Sequence, residues 1–360
     1  MNYYIREVQT SDELQKTAGI KARDDMEYIL SGMNMEGIAI PSQNDARKKA
    51  KGISKILWHW KIRTIWRNHL KFLKAGDQIY IQFPIIEHSL LLASFIKKLK
   101  AKGIRITLII HDLEFLRVAK RSDTSIMKKI RLNLEEKKML ANCTNIIVHN
   151  DHMKQYLQSL GIPGEKMIDL EIFDYIIADA DEEYLKERIL GKEQPLIIAG
   201  NLRPHKARYV YSLPDNMEFN LYGVGYEPKK SHDNIHYKGS FQPDELPYVM
   251  NGSFGVVWDG NTGDTCSGVY GEYLKINNPH KTSLYLASEI PVLIWKNAAL
   301  ADFVKKYHCG ITVNSLKDIP FVLSQMNDES YAVLCEGAKK AGKMLRSGYF
   351  TEKAIQESQK

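Results

Sequence analysis

The chain has 360 residues, of which 44% are hydrophobic and 26% charged, and a formal net charge of +7. That length exceeds one compact core and suits two domains, while the composition is the one expected of a soluble globular protein. No apolar run reaches the ~18 residues that span a bilayer, and the first ten residues lack the apolar core of a secretory leader, so a cytoplasmic protein is expected.

Residues 2–8 predict a strand, and Ser11 caps a helical stretch running to about Met33. A short apolar strand at 36–40 is closed by Pro41. A long basic helix fills 46–74, followed by a strand at 78–84 and an apolar helix near 88–100. Residues 105–112 form a continuous apolar strand, the pattern of a parallel sheet covered on both faces. A helix at 124–141, a strand at 145–150 and a helix at 151–160 complete an alternating series, which implies a doubly wound parallel sheet. Residues 161–164 and 171–175 read as the approach to a linker, with the acidic run 179–187 a solvated helix within it. A second series follows, with strands at 196–201, 218–224, 235–239, 255–259, 291–295 and 310–313. Its helices are expected near 242–250, 279–288, 299–306, 316–326 and 329–346. The predicted fold is α/β, with two Rossmann-like doubly wound domains facing each other across a cleft. The expected boundaries are 1–175, 176–346, and a final helix at 347–360 packing back on the first domain. Ligands in such sheets bind outside the carboxyl ends of the strands.

Through Lys138 the chain carries 27 Lys and Arg against 15 Asp and Glu, and the remainder is net acidic. The first domain is therefore the one that faces an anionic partner. Much of the excess lies in 47–74, which holds ten basic residues, no acidic one, and Trp58, Trp60 and Trp66. Ile53, Ile56, Leu57, Trp60 and Ile65 fall on helical spacing and read as a core-facing stripe. The basic outer face suits either plain solvation or peripheral contact with a membrane surface. No nucleic-acid recognition motif accompanies the charge. Cys143, Cys266, Cys309 and Cys335 are scattered without a CxxC pair, which argues against a zinc site or a disulfide framework.

Candidate chemistry sits at strand exits. Gly200 and Asn201 end a strand and precede Arg203, His205 and Lys206; glycine permits a tight turn, and the cations can meet a diphosphate. An ordinary strand-to-helix turn is the plainer account. Gly223 and Gly225 end the next strand, where a base can approach the backbone or simple turn chemistry suffices. The stretch 271–295 enters a helix at about Pro279 and carries His280, Lys281, Thr282 and Ser283. Its unpaired amide groups make a phosphate site, and the preceding loop 260–278 is placed to shape a sugar pocket. In the first domain, His111 and Asp112 stand at a strand's carboxyl end, with Asp112 a general base and His111 its orienting neighbour or replacement. An aspartate capping the following turn is the alternative. Glu87 and His88 form a weaker pair of the same kind. Lys21 or Arg23, in the small-residue segment 17–24, either reaches a phosphate or lies on a solvated helix face. No DxD pair follows a strand, so a basic site is expected to replace a divalent ion.

With these segments in view, the chain resembles the GT-B glycosyltransferases through the Gly200–Lys206 turn, the segment 237–247 and the stretch 277–292. Among them it is similar to bacterial β-galactofuranosyltransferase-like enzymes of surface-polysaccharide pathways and to the glucosyltransferases that extend glycans on serine-rich streptococcal adhesins. The resemblance implies a UDP-sugar donor held by the second domain and a glycan acceptor, lipid-linked or not, held by the first. Lys206 and Lys281 match the diphosphate contacts, with Arg203 near them. Tyr237 falls on the nucleotide side, and Thr17 matches an N-terminal loop that closes over the donor. The paired glutamates of many retaining members are missing, since Glu272 is followed next by Glu289, which favours inversion. The expected enzyme is a metal-independent, inverting hexosyltransferase without a cofactor, its first-choice sugar galactofuranose and its second glucose. Donor binding is assigned to Gly200, Asn201, Arg203, Lys206, Tyr237, His280, Lys281, Thr282 and Thr17, with domain closure excluding water. Homo-oligomerisation is left open. The rival readings are a UDP-sugar epimerase, a non-catalytic subunit that binds a membrane or another transferase, and, last, a nucleic-acid-binding protein.

Overall fold

A computed structural model describes residues 1–8, 18–42, 53–87, 89–119, 124–177, 191–227 and 233–360. Ser11, Thr17, His88 and the acidic run 179–187 lie outside the described residues. The chain divides into two compact units. Unit 1 comprises Met1–Leu14, Met26–Leu170 and Glu352–Lys360; unit 2 comprises Gln15–Asp25 and Glu171–Thr351.

Unit 1 is built on β1 (Asn2–Val8), β2 (Glu36–Pro41), β3 (Gln78–Phe83), β4 (Arg105–Ile110), β5 (Asn145–Val148) and β6 (Met167–Asp169). Their order is β2-β1-β3-β4-β5-β6, and every pair is parallel. All six residues of β3 are buried, whereas the edge strand β2 alternates between exposed and buried. The chain steps outward once, from β1 to β2, and back across for every later strand. With right-handed crossovers, the helices after β2 therefore share one face. These are α2 (Ile53–His69), α3 (Leu90–Ala101), the short α4 (Glu114–Ala119), α5 (Ile126–Asn142) and α6 (Asp151–Ser159), while α1 (Ala18–Gly32) links β1 to β2. Accordingly α2 packs on α3, and α3 on α5.

Two expectations fail here. The three-residue β6 lies between the two segments read as the approach to a linker, where no strand was expected; it is too short to show a period. The stripe assigned to the core in α2 has the wrong phase. Trp58, Ile62, Trp66 and Leu70 are buried, while Ile56, Leu57 and Trp60 face out. The helix carries two apolar stripes, and the one with strict four-residue spacing and two of the three tryptophans packs inward.

Unit 2 repeats the architecture with β7 (Leu196–Asn201), β8 (Phe219–Val224), β9 (Ile235–Gly239), β10 (Gly255–Val257), β11 (Val292–Trp295) and β12 (Gly310–Val313). All are parallel, in the order β12-β11-β10-β7-β8-β9. Its helices are α7 (Pro204–Ala207), α8 (Leu246–Val249), α9 (Gly268–Tyr273), α10 (His280–Ala287), α11 (Ala301–Lys306), α12 (Ile319–Ser324) and α13 (Asp328–Ser347). The short helix α9 lies in what was read as loop.

The last helix, α14 (Tyr349–Gln359), ends in unit 1. Its Ser358 carbonyl accepts from Arg105 Nη2 at 2.6 Å and Asn145 Nδ2 at 2.9 Å, the first residues of β4 and β5. The helix end thus satisfies its own orphan carbonyl on the amino edge of the sheet. No described helix is long and apolar enough to cross a membrane.

Candidate active site

In unit 2 the strand order reverses direction between β7 and β10, the topological switch point where open α/β sheets bind ligands. The residues after these two strands meet: Ala207 bridges Gly260, and Gly260 N donates to Lys206 O at 2.9 Å. β10 runs on into Trp258 and Asp259, both buried. Asp259 takes Lys281 Nζ on Oδ1 at 2.9 Å and has Lys206 Nζ 4.0 Å from Oδ2. Lys281 also donates to Trp258 O at 2.9 Å. The two lysines expected to grip a diphosphate therefore converge on one carboxylate, leaving the trio with a net positive charge.

The lysines differ in freedom. The Lys281 side chain is 12% exposed, and burial pulls its pKa down while Asp259 pushes back. Lys206 is 29% exposed, lies 5.6 Å from the Tyr270 ring centroid, and among the described residues makes only a long contact to Asp259. Lys281 is fixed in place, whereas Lys206 has room to move its charge onto an arriving anion. Arg203 is exposed beside them at the start of α7, and its N–H donates to Asn201 Oδ1 at 3.1 Å, which shapes the turn.

Gly200 and Gly223 are register partners on β7 and β8, both at positive φ. A Cβ on Gly223 would lie 1.8 Å from the Gly200 carbonyl oxygen, whereas one on Gly200 would meet nothing within 4 Å among the described residues. The exit of β7 is thus an open floor. Beside it runs an aromatic row: Tyr211 stacks on Tyr226 at 5.6 Å, and Tyr226 packs on Tyr237 at 5.3 Å. Tyr237 donates its hydroxyl to Gly223 O at 2.8 Å and keeps 40% of its surface exposed. A flat, half-exposed ring fixed by its hydroxyl is a platform on which a base can stack.

The start of α10 departs from the simple picture of a cationic phosphate cradle. His280 turns inward, its ring 5.1 Å from that of Tyr175, and hydrogen-bonds to the Asp174 backbone. Burial, with the Lys21 charge adding to it, pushes its pKa down to about 3, so it is a neutral imidazole. Among the described residues its Nε2 has no hydrogen-bond partner, which leaves an acceptor lone pair rather than a positive charge. Thr282 is fully buried, and its hydroxyl likewise has no partner among the described residues. Among the residues of α10, Lys281 alone brings charge to the cluster.

Lys21, read as a phosphate ligand or a solvated side chain, is neither. Its ammonium group meets Asp25 Oδ1 at 2.7 Å, Ile176 O at 2.6 Å and Asp244 Oδ1 at 2.7 Å, so its three donors are matched by three acceptors. It fastens the start of α1 within unit 2.

In unit 1, His111 and Asp112 follow β4, both half-buried. Arg117 Nη1 donates to Asp112 Oδ2 at 2.6 Å, a charge-assisted bond that fixes the carboxylate. Below, the buried His149 Nε2 donates to Ile110 O at 3.0 Å, its pKa pushed down to about 3 by burial. The switch point of this sheet lies between β1 and β3. There Ile86 N donates to both carboxylate oxygens of Glu7, and Glu87 is buried beside them. Among the described residues no group of three or more His, Cys, Asp or Glu side chains is placed to hold a metal ion.

Sequence reasoning missed Asp259, although the signal was of the kind that singled out Asp112: an acidic residue at the carboxyl end of an apolar strand. It also missed Tyr211 and Tyr226, whose stacking depends on residues far apart in the chain.

Residues 2–172 match the family model for the glucosyltransferase 3-like N-terminal domain, and residues 196–358 that for the glucosyltransferase 3-like C-terminal domain. The chain is 34% identical over 358 residues to the β-1,6-galactofuranosyltransferase WbbI of Escherichia coli K12, covering 99% of this chain and 97% of that one. Among solved structures, sucrose-phosphate synthase from Thermosynechococcus elongatus matches with a TM-score of 0.59 at 14% identity, over 99% of this chain and 97% of that one. Anabaena HepE, solved in complex with UDP, matches with a TM-score of 0.56 at 10% identity, over 99% and 98%. The two six-stranded parallel sheets are those of the GT-B fold.

Proposed function

The chain belongs to the glucosyltransferase 3-like family and is a glycosyltransferase, and on that footing we propose that it moves a hexose from a UDP-linked donor to a glycan acceptor, with inversion and without a divalent ion. Galactofuranose is the first choice of sugar, because the 34% identical relative is named for that transfer. Glucose, from the family's description, is the second. The observation that carries the donor assignment is the cationic cluster of Lys206 and Lys281 around Asp259 at the β7–β10 switch point. In this reading the diphosphate rests over the open floor at Gly200, Lys206 moves onto it, and Tyr237 receives the base. Positive charge held in place before the reaction stabilises the departing diphosphate, the work a metal ion does elsewhere.

For the acceptor, Asp112 takes the proton of the attacking hydroxyl, positioned by Arg117 and flanked by His111. A β-linked product from an α-linked nucleotide donor is inversion, and the product linkage in that relative's name is β.

Calorimetric titration with UDP, UDP-galactofuranose and UDP-glucose in EDTA tests the donor site, and NMR of the product's anomeric signal tests the stereochemistry. The expected results are undiminished binding in EDTA and a β-linked product. Lys206→Ala is expected to weaken UDP binding about 10- to 100-fold. A magnesium requirement, a retained configuration, or an epimerised sugar formed without acceptor overturns the corresponding part.

A further inference from the structure

The helical face of unit 1 carries a feature that the transfer reaction does not use. On α2, Ile56, Leu57 and Trp60 point outward, with Leu57 63% and Trp60 53% exposed. On α5, Ile126, Met127 and Ile130 repeat the same spacing of i, i+1 and i+4, with Ile126 74% and Met127 76% exposed. Both helices pack on α3, so the two stripes belong to one layer. Neither side chain set is needed by the core: α2 buries Trp58, Ile62 and Trp66, and α5 buries Leu132, Met139 and Leu140.

Among the described residues of these three helices the exposed charge has one sign. Helix α2 has no acidic residue, and it exposes Lys61 and Arg67 while Arg63 stands 5.4 Å over the Trp60 ring. Helix α3, between the stripes, exposes Lys97 and Lys98 and also lacks an acidic residue. The two carboxylates of α5, Glu135 and Glu136, are buried, while Lys128 and Lys138 are exposed. The outward surface of three neighbouring helices is therefore apolar and cationic.

We propose that this face is a docking surface for an anionic lipid bilayer: the α2 and α5 apolar stripes enter the acyl–headgroup boundary while lysines and arginines of all three helices lie among the anionic headgroups. Tryptophan and long basic side chains suit that depth, with an apolar body and a polar end. A second copy of the chain is a poor occupant, because face-to-face pairing sets cation against cation. Nucleic acid would satisfy the charge but leave the exposed Ile, Leu and Met side chains without a partner. The reaction would then run at the membrane, where lipid-linked glycan acceptors reside.

The test uses the full chain and density-gradient flotation with vesicles of phosphatidylcholine alone or mixed with phosphatidylglycerol. Binding is expected to the mixed vesicles only and to weaken with salt. Lys61→Gln with Arg67→Gln is expected to lower the partition coefficient roughly thirty-fold, from the loss of two surface charges. Trp60→Ser with Met127→Ser is expected to lower it about tenfold or more. Both pairs are exposed, so the unfolding temperature and transfer to a soluble acceptor should stay at the wild-type level. Equal binding to both vesicle types, binding to neither, or unchanged partition of both variants overturns the proposal. So does a dimer in sedimentation equilibrium that Trp60→Ser with Met127→Ser dissociates.

Discussion

The ammonium nitrogen of Lys281 lies 2.9 Å from Asp259 Oδ1 and 2.9 Å from the Trp258 carbonyl oxygen, both supplied by the residues that follow β10. A buried lysine held this way is an arranged charge. It cannot turn to another partner without loosening the hold on that carboxylate, and together with Lys206 it leaves the cluster with a net positive charge.

Replacing Asp259 with alanine leaves that ammonium buried without a counter-charge, which is expected to cost about 3 kcal/mol of stability. Lys281→Met in the same chain removes the unpaired charge, so the double variant should recover most of the loss. UDP affinity should not recover, because the cation is gone. Denaturant unfolding and calorimetric titration of the three variants close the cycle. If Lys281→Met left UDP affinity unchanged, the cation would have no part in binding the donor.

Alanine at Gly223 and at Gly200 should separate packing from conformation. Both positions hold positive φ, which costs about 1–3 kcal/mol for a residue with a side chain. Gly223→Ala also drives a methyl into the Gly200 carbonyl and should cost well beyond that range. Gly200→Ala meets no atom of the described residues, so its stability loss should stay within the strain range while donor binding falls, because the methyl covers the open floor. Unfolding and titration measured together distinguish the two.

Asp174 is buried and accepts N–H groups from Thr351 at 2.7 Å and Phe350 at 3.3 Å; burial pushes its pKa up to about 7. Its ordinary value is about 3.9, so below neutrality the folded chain binds a proton that the unfolded chain does not. Its contribution to stability therefore increases as pH falls through about 7 and levels off near pH 4, with a gain of about 1 kcal/mol between roughly pH 8 and pH 6. Asp174→Asn should flatten this part of the pH profile. A slope unaltered by the substitution would assign the titration to another group.

For the acceptor step, Asp112→Asn is expected to lower transfer about 100- to 10,000-fold while leaving UDP affinity intact. Glu87→Gln, at the switch point of the same sheet, is the informative comparison. If Glu87→Gln removed transfer and Asp112→Asn did not, the base would belong to the β3 exit rather than the β4 exit.

Much of the architecture was legible because buried parallel strands leave little choice of composition. β3, β4 and β11 are short apolar runs between turn residues, and each lies where such a run predicts it. Helix α2 was located but turned the wrong way, since two apolar stripes on one helix do not announce which is covered. At the site, glycines and lysines stood out as residue types, but their partners did not. Lys281 and Asp259 are 22 residues apart, and Lys21 and Ile176 are 155 apart, distances at which no periodicity reports a contact. His280 was legible as a residue but not as a neutral one, because its state is set by the rings of Phe173 and Tyr175 packed beside it.

The three acceptors around Lys21 carry a consequence for modularity. The chain passes between its two units at four points, and Gln15–Asp25 belongs to the second unit although it is encoded within the first. A fragment beginning at residue 171 would lack Lys21 and Asp25, and one ending at residue 170 would keep them without Ile176 and Asp244. Recombination that swapped a contiguous carboxyl-terminal half would inherit a foreign latch, so Lys21, Asp25 and Asp244 must be exchanged together for a chimaera to retain it.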